Sequence, residues 1–179
     1  CFNNLPAGQY IALGQLTPRS QFRSSHIPTY YDRSQTWRNA RIIDTRQATL
    51  TVVHELVLLP RLRVNGPARA AGRAAAPGKT SSVGVGAWVM AINTATNETV
   101  ALSETDAEGR YTLEGLPYGT YRLVAEAINF HDRPVLVTLS PEVPVAADND
   151  IDLSEEPAPT SRGPKLSLGD LTLYPNPST

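Results

Sequence analysis

The chain has 179 residues, 41% of them hydrophobic, which is enough for one ordinary domain with extensions or for two small domains. Aromatic residues make up only 7%, so Val, Leu, Ile and Ala must build the core, and this favours strands. No apolar run is long enough to cross a membrane. The net charge of −1 argues against a nucleic-acid-binding protein.

Charge is distributed unevenly along the chain. Residues 1–75 contain ten Arg and three acidic residues, a formal charge of +7, whereas residues 76–179 contain six basic and fourteen acidic residues, a charge of −8. Two interpretations stay open. The halves could be two solvated faces of one domain, or the chain could be a dipolar subunit whose basic end meets the acidic end of the next copy.

The N-terminal part, residues 1–47, is polar and irregular apart from residues 9–16. There Tyr10, Ile11 and Leu13 belong to an alternating pattern that predicts a lone strand.

Residues 48–64 have a different character. Residues 48–59 are dense in β-branched and aliphatic side chains, which predicts a strand that Pro60 ends. Residues 61–64 alternate again, which predicts either a second strand or the continuation of one bent strand. Residues 65–82 are rich in Gly, Ala and Pro, which predicts a loop.

Regular alternation begins at residue 83. Apolar side chains fall on both faces of residues 83–92, which predicts a strand covered on both sides. Further strands are predicted over residues 98–102, 111–113, 121–127, 135–139 and 150–153. Turn signals every eight to twelve residues, with no amphipathic helix pattern, predict an all-β sandwich.

Two turns have recognisable chemistry. Asp106 can accept hydrogen bonds from backbone N–H groups that follow it, and Gly109 can adopt positive φ. Pro117 fixes φ in the next turn, and Gly119 closes it. We interpret all four residues as structural.

The C-terminal part begins with a linker. Residues 154–164 are rich in Pro and polar residues. After it, one more short strand with a break at Gly169 is predicted from Leu166, Leu168, Leu171 and Leu173. The predicted division is an N-terminal extension over residues 1–58, a sandwich over residues 59–153 and a linker with a strand over residues 154–179.

Residues 59–153 resemble the carboxypeptidase regulatory-like domain. Residues 86–93 resemble its second strand, residues 105–111 its T-D-x-x-G-x-Y hairpin, and residues 116–121 its L-P-x-G-x-Y corner. Residues 63–66 would then be its first strand. The resemblance implies a seven-stranded antiparallel sandwich of transthyretin-like or Ig-like type. It also implies a non-catalytic domain, with Tyr111 and Tyr121 in the core or at a corner.

Residues 173–179 contain a Tyr-Pro-Asn-Pro stretch that resembles the opening of the sorting domain used in type IX secretion. The resemblance implies a bacterial protein exported to the cell surface or the medium. The alternative is a proline-rich tail, because short motifs often match by chance.

Motifs that could carry chemistry are incomplete. His54-Glu55 lacks the second His of a zinc-protease helix, and Gly78-Lys79-Thr80 lacks the earlier Gly of a phosphate loop. Asp148, Asp150 and Asp152 alternate like the start of a calcium loop, but Leu153 stands where Gly is needed. We therefore expect no catalytic, cofactor or metal site.

Cys1 is the only cysteine, so it cannot form an internal disulfide. Three states are open: a lipid anchor, a disulfide to another chain, or the edge of a fragment.

Two functions compete at this point. The first is a non-catalytic structural subunit of an extracellular filament or surface assembly. Its copies would join by strand pairing of residues 9–16 and 166–173 into a homopolymer. The second is an accessory or ligand-binding module of a larger secreted enzyme or receptor. A carbohydrate-binding role belongs to the second, with Tyr30, Tyr31 and Trp37 as the only aromatic cluster.

Overall fold

The structure is a computed structural model that describes residues 5–17, 19–46, 54–75, 86–155, 166–168 and 170–175. Within these ranges the regular elements are strands and one three-residue 3-10 helix, Trp37–Asn39, so the all-β prediction is confirmed. None of the described helical structure is long and apolar enough to span a bilayer. Cys1, Gly169 and residues 76–85 and 176–179 lie outside the described ranges.

The strands are, in chain order, β1 (Gln9–Gly14), β2 (Thr29–Tyr30), β3 (Ile43–Asp44), β4 (Ala68–Ala75), β5 (Trp88–Asn93), β6 (Thr99–Glu104), β7 (Arg110–Leu116), β8 (Gly119–Glu126), β9 (Phe130–Asp132), β10 (Val135–Leu139), β11 (Val145–Ala146), β12 (Ile151–Glu155), β13 (Leu166–Leu168) and β14 (Leu171–Pro175). They belong to two units. Arg61–Glu156 is the sandwich unit, and Cys1–Pro60 together with Pro157–Thr179 is the terminal unit. The sequence treats the two chain ends as separate extensions, whereas the structure assigns them to one unit.

The sandwich unit contains two sheets. In the first, the order is β10-β8-β5-β6 and every pairing is antiparallel. In the second, β4 pairs antiparallel with β7 on one side and parallel with β11 and then β12 on the other, while β9 pairs with β12. The predicted antiparallel sandwich therefore contains two parallel pairings, both made by β4. The described part of this unit is divided into nine strands where the resemblance implied seven.

The core of the sandwich unit follows the predicted alternation. Its most deeply buried members include Val89, Ala91, Leu113, Leu116, Tyr121, Leu123, Leu139, Ile151 and Leu153. Met90 and Ile92, on the opposite face of β5, are also buried, which confirms that this strand is covered on both sides. Buried apolar residues at consecutive positions suit β5 and β8 to the interior of their sheet, where each has a neighbouring strand on both edges.

The sequence interpretation was wrong around β4. Residues 68–75 were predicted to be part of a loop, yet they form an eight-residue strand, whereas residues 61–66 are not a strand. Alanine has low β propensity, which hid the strand. Ala68, Ala70 and Ala74 are nevertheless almost fully buried, because they face the core cluster of the sandwich unit and their strand has neighbours on both edges.

The strand predicted over residues 48–59 is not found where it can be checked. Residues 54–59 are not a strand, and Pro60 makes a single bridge with His26, while residues 47–53 lie outside the described ranges. The Leu59 N–H donates to the Thr29 side-chain oxygen, and the Leu59 carbonyl accepts from the Ile27 N–H. A high content of aliphatic residues was therefore not sufficient to make residues 54–59 a strand.

Candidate interaction site

The terminal unit is built around β1. On one side β1 pairs antiparallel with β14, from Tyr10 opposite Pro175 to Gly14 opposite Leu171. On its other side it pairs with β2 and then with β3. Strand β13 pairs with β14, so the single broken strand predicted after the linker is a hairpin instead. The two ends of the chain thus form one sheet.

The residues predicted to form intersubunit strands lie in β1, β14 and the neighbouring β13. Tyr10, Ile11, Leu13 and Leu173 are buried, Leu166 and Leu171 are half-buried, and Leu168 is 50% exposed. Tyr10, Ala12 and Leu173 form a small core with half-buried neighbours such as Leu56. The structure therefore pairs the two predicted donor segments with each other within one chain.

The outer edge of β13 is open within the described part of the chain, because β14 is its only strand partner there. An open edge carries unpaired N–H and C=O groups that can accept a strand from another molecule. This edge and the β1–β14 seam are the candidate interaction site.

The turn between β6 and β7 is held by Asp106. Its Oδ1 accepts hydrogen bonds from the backbone N–H groups of Glu108 (3.0 Å) and Arg110 (2.7 Å). Gly109 has a φ of +76°, in the region that only glycine adopts without strain. This geometry orders the hairpin.

The turn between β7 and β8 is a tyrosine corner. The Tyr121 hydroxyl donates to the Pro117 carbonyl at 2.8 Å, and the Tyr121 side chain is fully buried. Gly119 begins β8, and Tyr118 at the tip is 44% exposed. Pro117 and Gly119 therefore shape the corner, and the Tyr121 ring anchors it in the core.

Sequence reasoning missed the residue that joins β11 and β12 to β4. The Asn149 side-chain amide donates to the carbonyls of Ala71, Ala146 and Ala147, and its backbone N–H also donates to Ala71. The Asn149 carbonyl accepts a hydrogen bond from the Tyr111 hydroxyl. An isolated Asn in a polar segment carries no motif, so no sequence signal identifies this role.

Burial raises the pKa of Tyr111, and the nearby Asp150 carboxylate raises it further. A raised pKa in the folded state means that the fold favours the protonated phenol. The contribution of Tyr111 to the free energy of unfolding should therefore be fully present below the ordinary pKa of 10.0. It should decrease as pH rises above that value. We expect base-induced unfolding, followed by circular dichroism, to be shallower in Tyr111→Phe. An unchanged pH dependence would contradict this assignment.

Comparison with known families settles the nature of the sandwich unit. Residues 73–154, just under half of the chain, match the family model of the carboxypeptidase regulatory-like domain. This segment is a carboxypeptidase regulatory-like domain. No curated protein matches the chain.

The match begins within β4 and ends within β12, so it covers both diagnostic turns but not residues 63–66. The regulatory-like domain is a non-catalytic module. In the described ranges no group of three or more His, Cys, Asp or Glu is arranged to hold a metal ion.

Asp150, His26 and His54 have hydrogen-bond partners that give them structural roles. Asp150 Oδ1 accepts from the Arg73 backbone N–H at 2.9 Å. His26 Nδ1 lies 3.0 Å from the Ser25 hydroxyl, and His54 Nδ1 lies 3.0 Å from the Tyr31 hydroxyl. His131 pairs with Ser154 across β9 and β12. The three histidines thus have separate surroundings.

The aromatic cluster does not form a flat platform for sugars. Tyr30 and Trp37 are each only 3% exposed, whereas Tyr31 is half-buried. Two of the three candidate rings therefore belong to the interior of the terminal unit.

Proposed function

We propose that the protein is a non-catalytic structural subunit of an extracellular or cell-surface assembly, whose copies join through their terminal strands. The observation that carries the proposal is the pairing of β1 with β14. These strands come from opposite ends of the chain, and the regulatory-like domain lies between them in sequence. The same five residue pairs can form between two molecules if the β13–β14 hairpin of one copy pairs with β1 of another.

The composition of the neighbouring segment supports such an exchange. Residues 154–164, which precede the hairpin, are rich in proline, and proline-rich linkers act as extended spacers. The seam is apolar, so the same apolar surface is buried whether β1 and β14 pair within one chain or between two copies. Exchange in one direction, from each copy to the next, would give an open homopolymer.

The cell-surface location is supported by the resemblance of residues 173–179 to a sorting domain. Cys1 is the candidate attachment point for a lipid, or for a disulfide to another chain.

A disulfide across the seam tests the exchange. Tyr31 N–H donates to the Ala12 carbonyl, so the Ala12 backbone faces β2, and Ala12 and Leu173 form a non-hydrogen-bonded pair. Opposed Cα atoms in such pairs lie about 4.5 Å apart, within disulfide range. In a Cys1→Ser background, we expect oxidised Ala12→Cys/Leu173→Cys protein to give a covalent ladder on a non-reducing gel at high protein concentration.

The matched control is Ala12→Cys/Thr172→Cys in the same background. Thr172 is opposite Leu13 and points to the other face of the sheet, so this pair should not cross-link. If the Ala12–Leu173 disulfide forms only within single chains at every concentration, strand exchange is wrong.

The family match itself supports a second function, an accessory or ligand-binding module of a larger secreted enzyme or receptor. This function predicts a chain that stays monomeric at all concentrations in light scattering.

A further inference from the structure

The terminal unit is net positive, whereas the sandwich unit is net negative. The residues of the terminal unit include eight Lys or Arg and four Asp or Glu, a formal charge of +4, whereas the sandwich unit has eight basic and thirteen acidic residues, a charge of −5. Within the terminal unit, Arg33, Arg38 and Arg41 are all exposed. We call these three residues, together with Tyr31 and His54, the arginine patch.

The nearby acidic residues leave the patch positive. Asp32 is the only carboxylate in residues 31–42 and Glu55 follows His54, so the three arginines still outnumber these two neighbouring carboxylates. Asp44 forms an ion pair with Arg46, whose hydrogen bonds hold the pKa of the Asp44 carboxyl well below its usual range. Among the described residues, neither Arg33 nor Arg41 forms an ion pair with a carboxylate. Asp44 is therefore engaged by Arg46 and does not neutralise Arg33 or Arg41.

Aromatic rings contact two of the three arginines, Arg38 and Arg41. The Arg41 guanidinium carbon lies 6.0 Å from the centroid of the Tyr31 ring, and that of Arg38 lies 5.5 Å from Trp37. His54 bonds the Tyr31 hydroxyl and meets its ring edge-on, with centroids 5.1 Å apart. Because these contacts already restrict the side chains, binding a ligand costs less conformational entropy.

The backbone presents Arg33 outward on an unusual turn. Asp32 and Arg33 have φ values of +67° and +59°, which non-glycine residues seldom adopt. Tyr30 and Ser34 close the turn by exchanging backbone hydrogen bonds of 2.8 and 3.2 Å. Strained residues of this kind persist where the surrounding structure enforces them, often at binding sites.

We propose that the arginine patch binds a carboxylated polysaccharide. Each guanidinium group presents paired, coplanar N–H donors that can bind both oxygens of a carboxylate. Several arginines in one patch therefore suit a polymer that carries a carboxylate on each repeating unit. The carboxylate is inferred from the guanidinium groups of the patch. The choice of a polysaccharide as its carrier rests on the proposed cell-surface location.

A second copy of the chain is the less favoured partner. Two carboxylates of its sandwich unit already have partners within their own chain, because Asp106 and Asp150 accept hydrogen bonds from backbone N–H groups. A free polyanion offers carboxylates without such competing bonds.

Binding to polygalacturonate, poly-L-glutamate and neutral dextran tests the proposal by isothermal titration calorimetry. The variant is Arg33→Asn/Arg41→Gln, with Asn chosen because it tolerates the left-handed backbone at position 33. The matched control, Arg69→Gln/Arg110→Gln, removes the same charge from exposed positions of the sandwich unit.

We expect the unaltered chain to bind polygalacturonate and not dextran. The patch variant should lose about tenfold or more in affinity, and the control less than about twofold. Absence of binding to polygalacturonate, preference for poly-L-glutamate, or equal losses in both variants would overturn the proposal. The disulfide experiment tests strand exchange separately, since neither cysteine position belongs to the patch.

Discussion

Leu139→Ala is expected to lower the free energy of unfolding of the sandwich unit by about 3 kcal/mol. Leu139 lies at the end of β10, is 1% exposed and belongs to the core cluster that contains Tyr121 and Leu123. Shortening the side chain removes apolar burial and leaves a cavity, because close-packed neighbours relax only partly. Urea denaturation followed by circular dichroism measures the change.

The same strand supplies the control. Leu136 is 68% exposed on the face of β10 that points away from the core, so Leu136→Ala should change the free energy of unfolding by less than about 0.5 kcal/mol. Equal losses at both positions would show that the register of β10 against β8 is wrong. A one-residue slip exchanges the two faces of a strand.

Gly72→Ala is expected to destabilise the sandwich unit by about 3 kcal/mol, at the upper end of what one added methyl group costs in a packed site. A Cβ at Gly72 would overlap the backbone carbonyl of Asn149. Asn149 cannot easily move, because its side chain and N–H donate to the backbone carbonyls of Ala71, Ala146 and Ala147. The expected result is a lower midpoint in thermal denaturation.

Gly8→Ala is the matched control for this substitution. The nearest atom to a Cβ at Gly8 is a Tyr10 ring carbon at 3.5 Å, which is an ordinary contact. Stability should be unchanged or slightly raised, since alanine restricts the unfolded chain more than glycine does. If Gly72→Ala behaves like Gly8→Ala, the close approach of Asn149 to β4 is not present in solution.

The regulatory-like domain was largely predictable because its signals are local. Alternating apolar residues define β5, β8 and β10, and the turn residues Asp106 and Gly109 mark a hairpin. Each of these signals depends on side chains a few residues apart, so the sequence shows them directly.

Strand β4 was not predictable in this way. Its alanines and Gly72 have weak strand preference, and they are suitable only because β7, β11 and β12 lie on both edges and Asn149 crosses close by. Contacts with residues that are distant in the sequence therefore determine that this segment forms a strand.

The candidate interaction site was predicted in part. Alternation identified Tyr10, Ile11 and Leu13 at one end of the chain and the four leucines at the other as strand-forming. It could not show that they pair, and it could not bring His54 to Tyr31 or place Arg41 over the same ring. No local pattern records contacts between segments so distant in sequence.

By itself, the sequence determined an all-β chain with a regulatory-like sandwich and apolar strands at both ends, because side-chain period and turn chemistry are short-range properties. Tertiary structure alone decided which strands are neighbours: β4 beside β11 and β12, and β1 beside β14. The physical reason is that backbone hydrogen bonds in a sheet are satisfied by any strand of suitable register, so partner choice depends on how the whole chain packs.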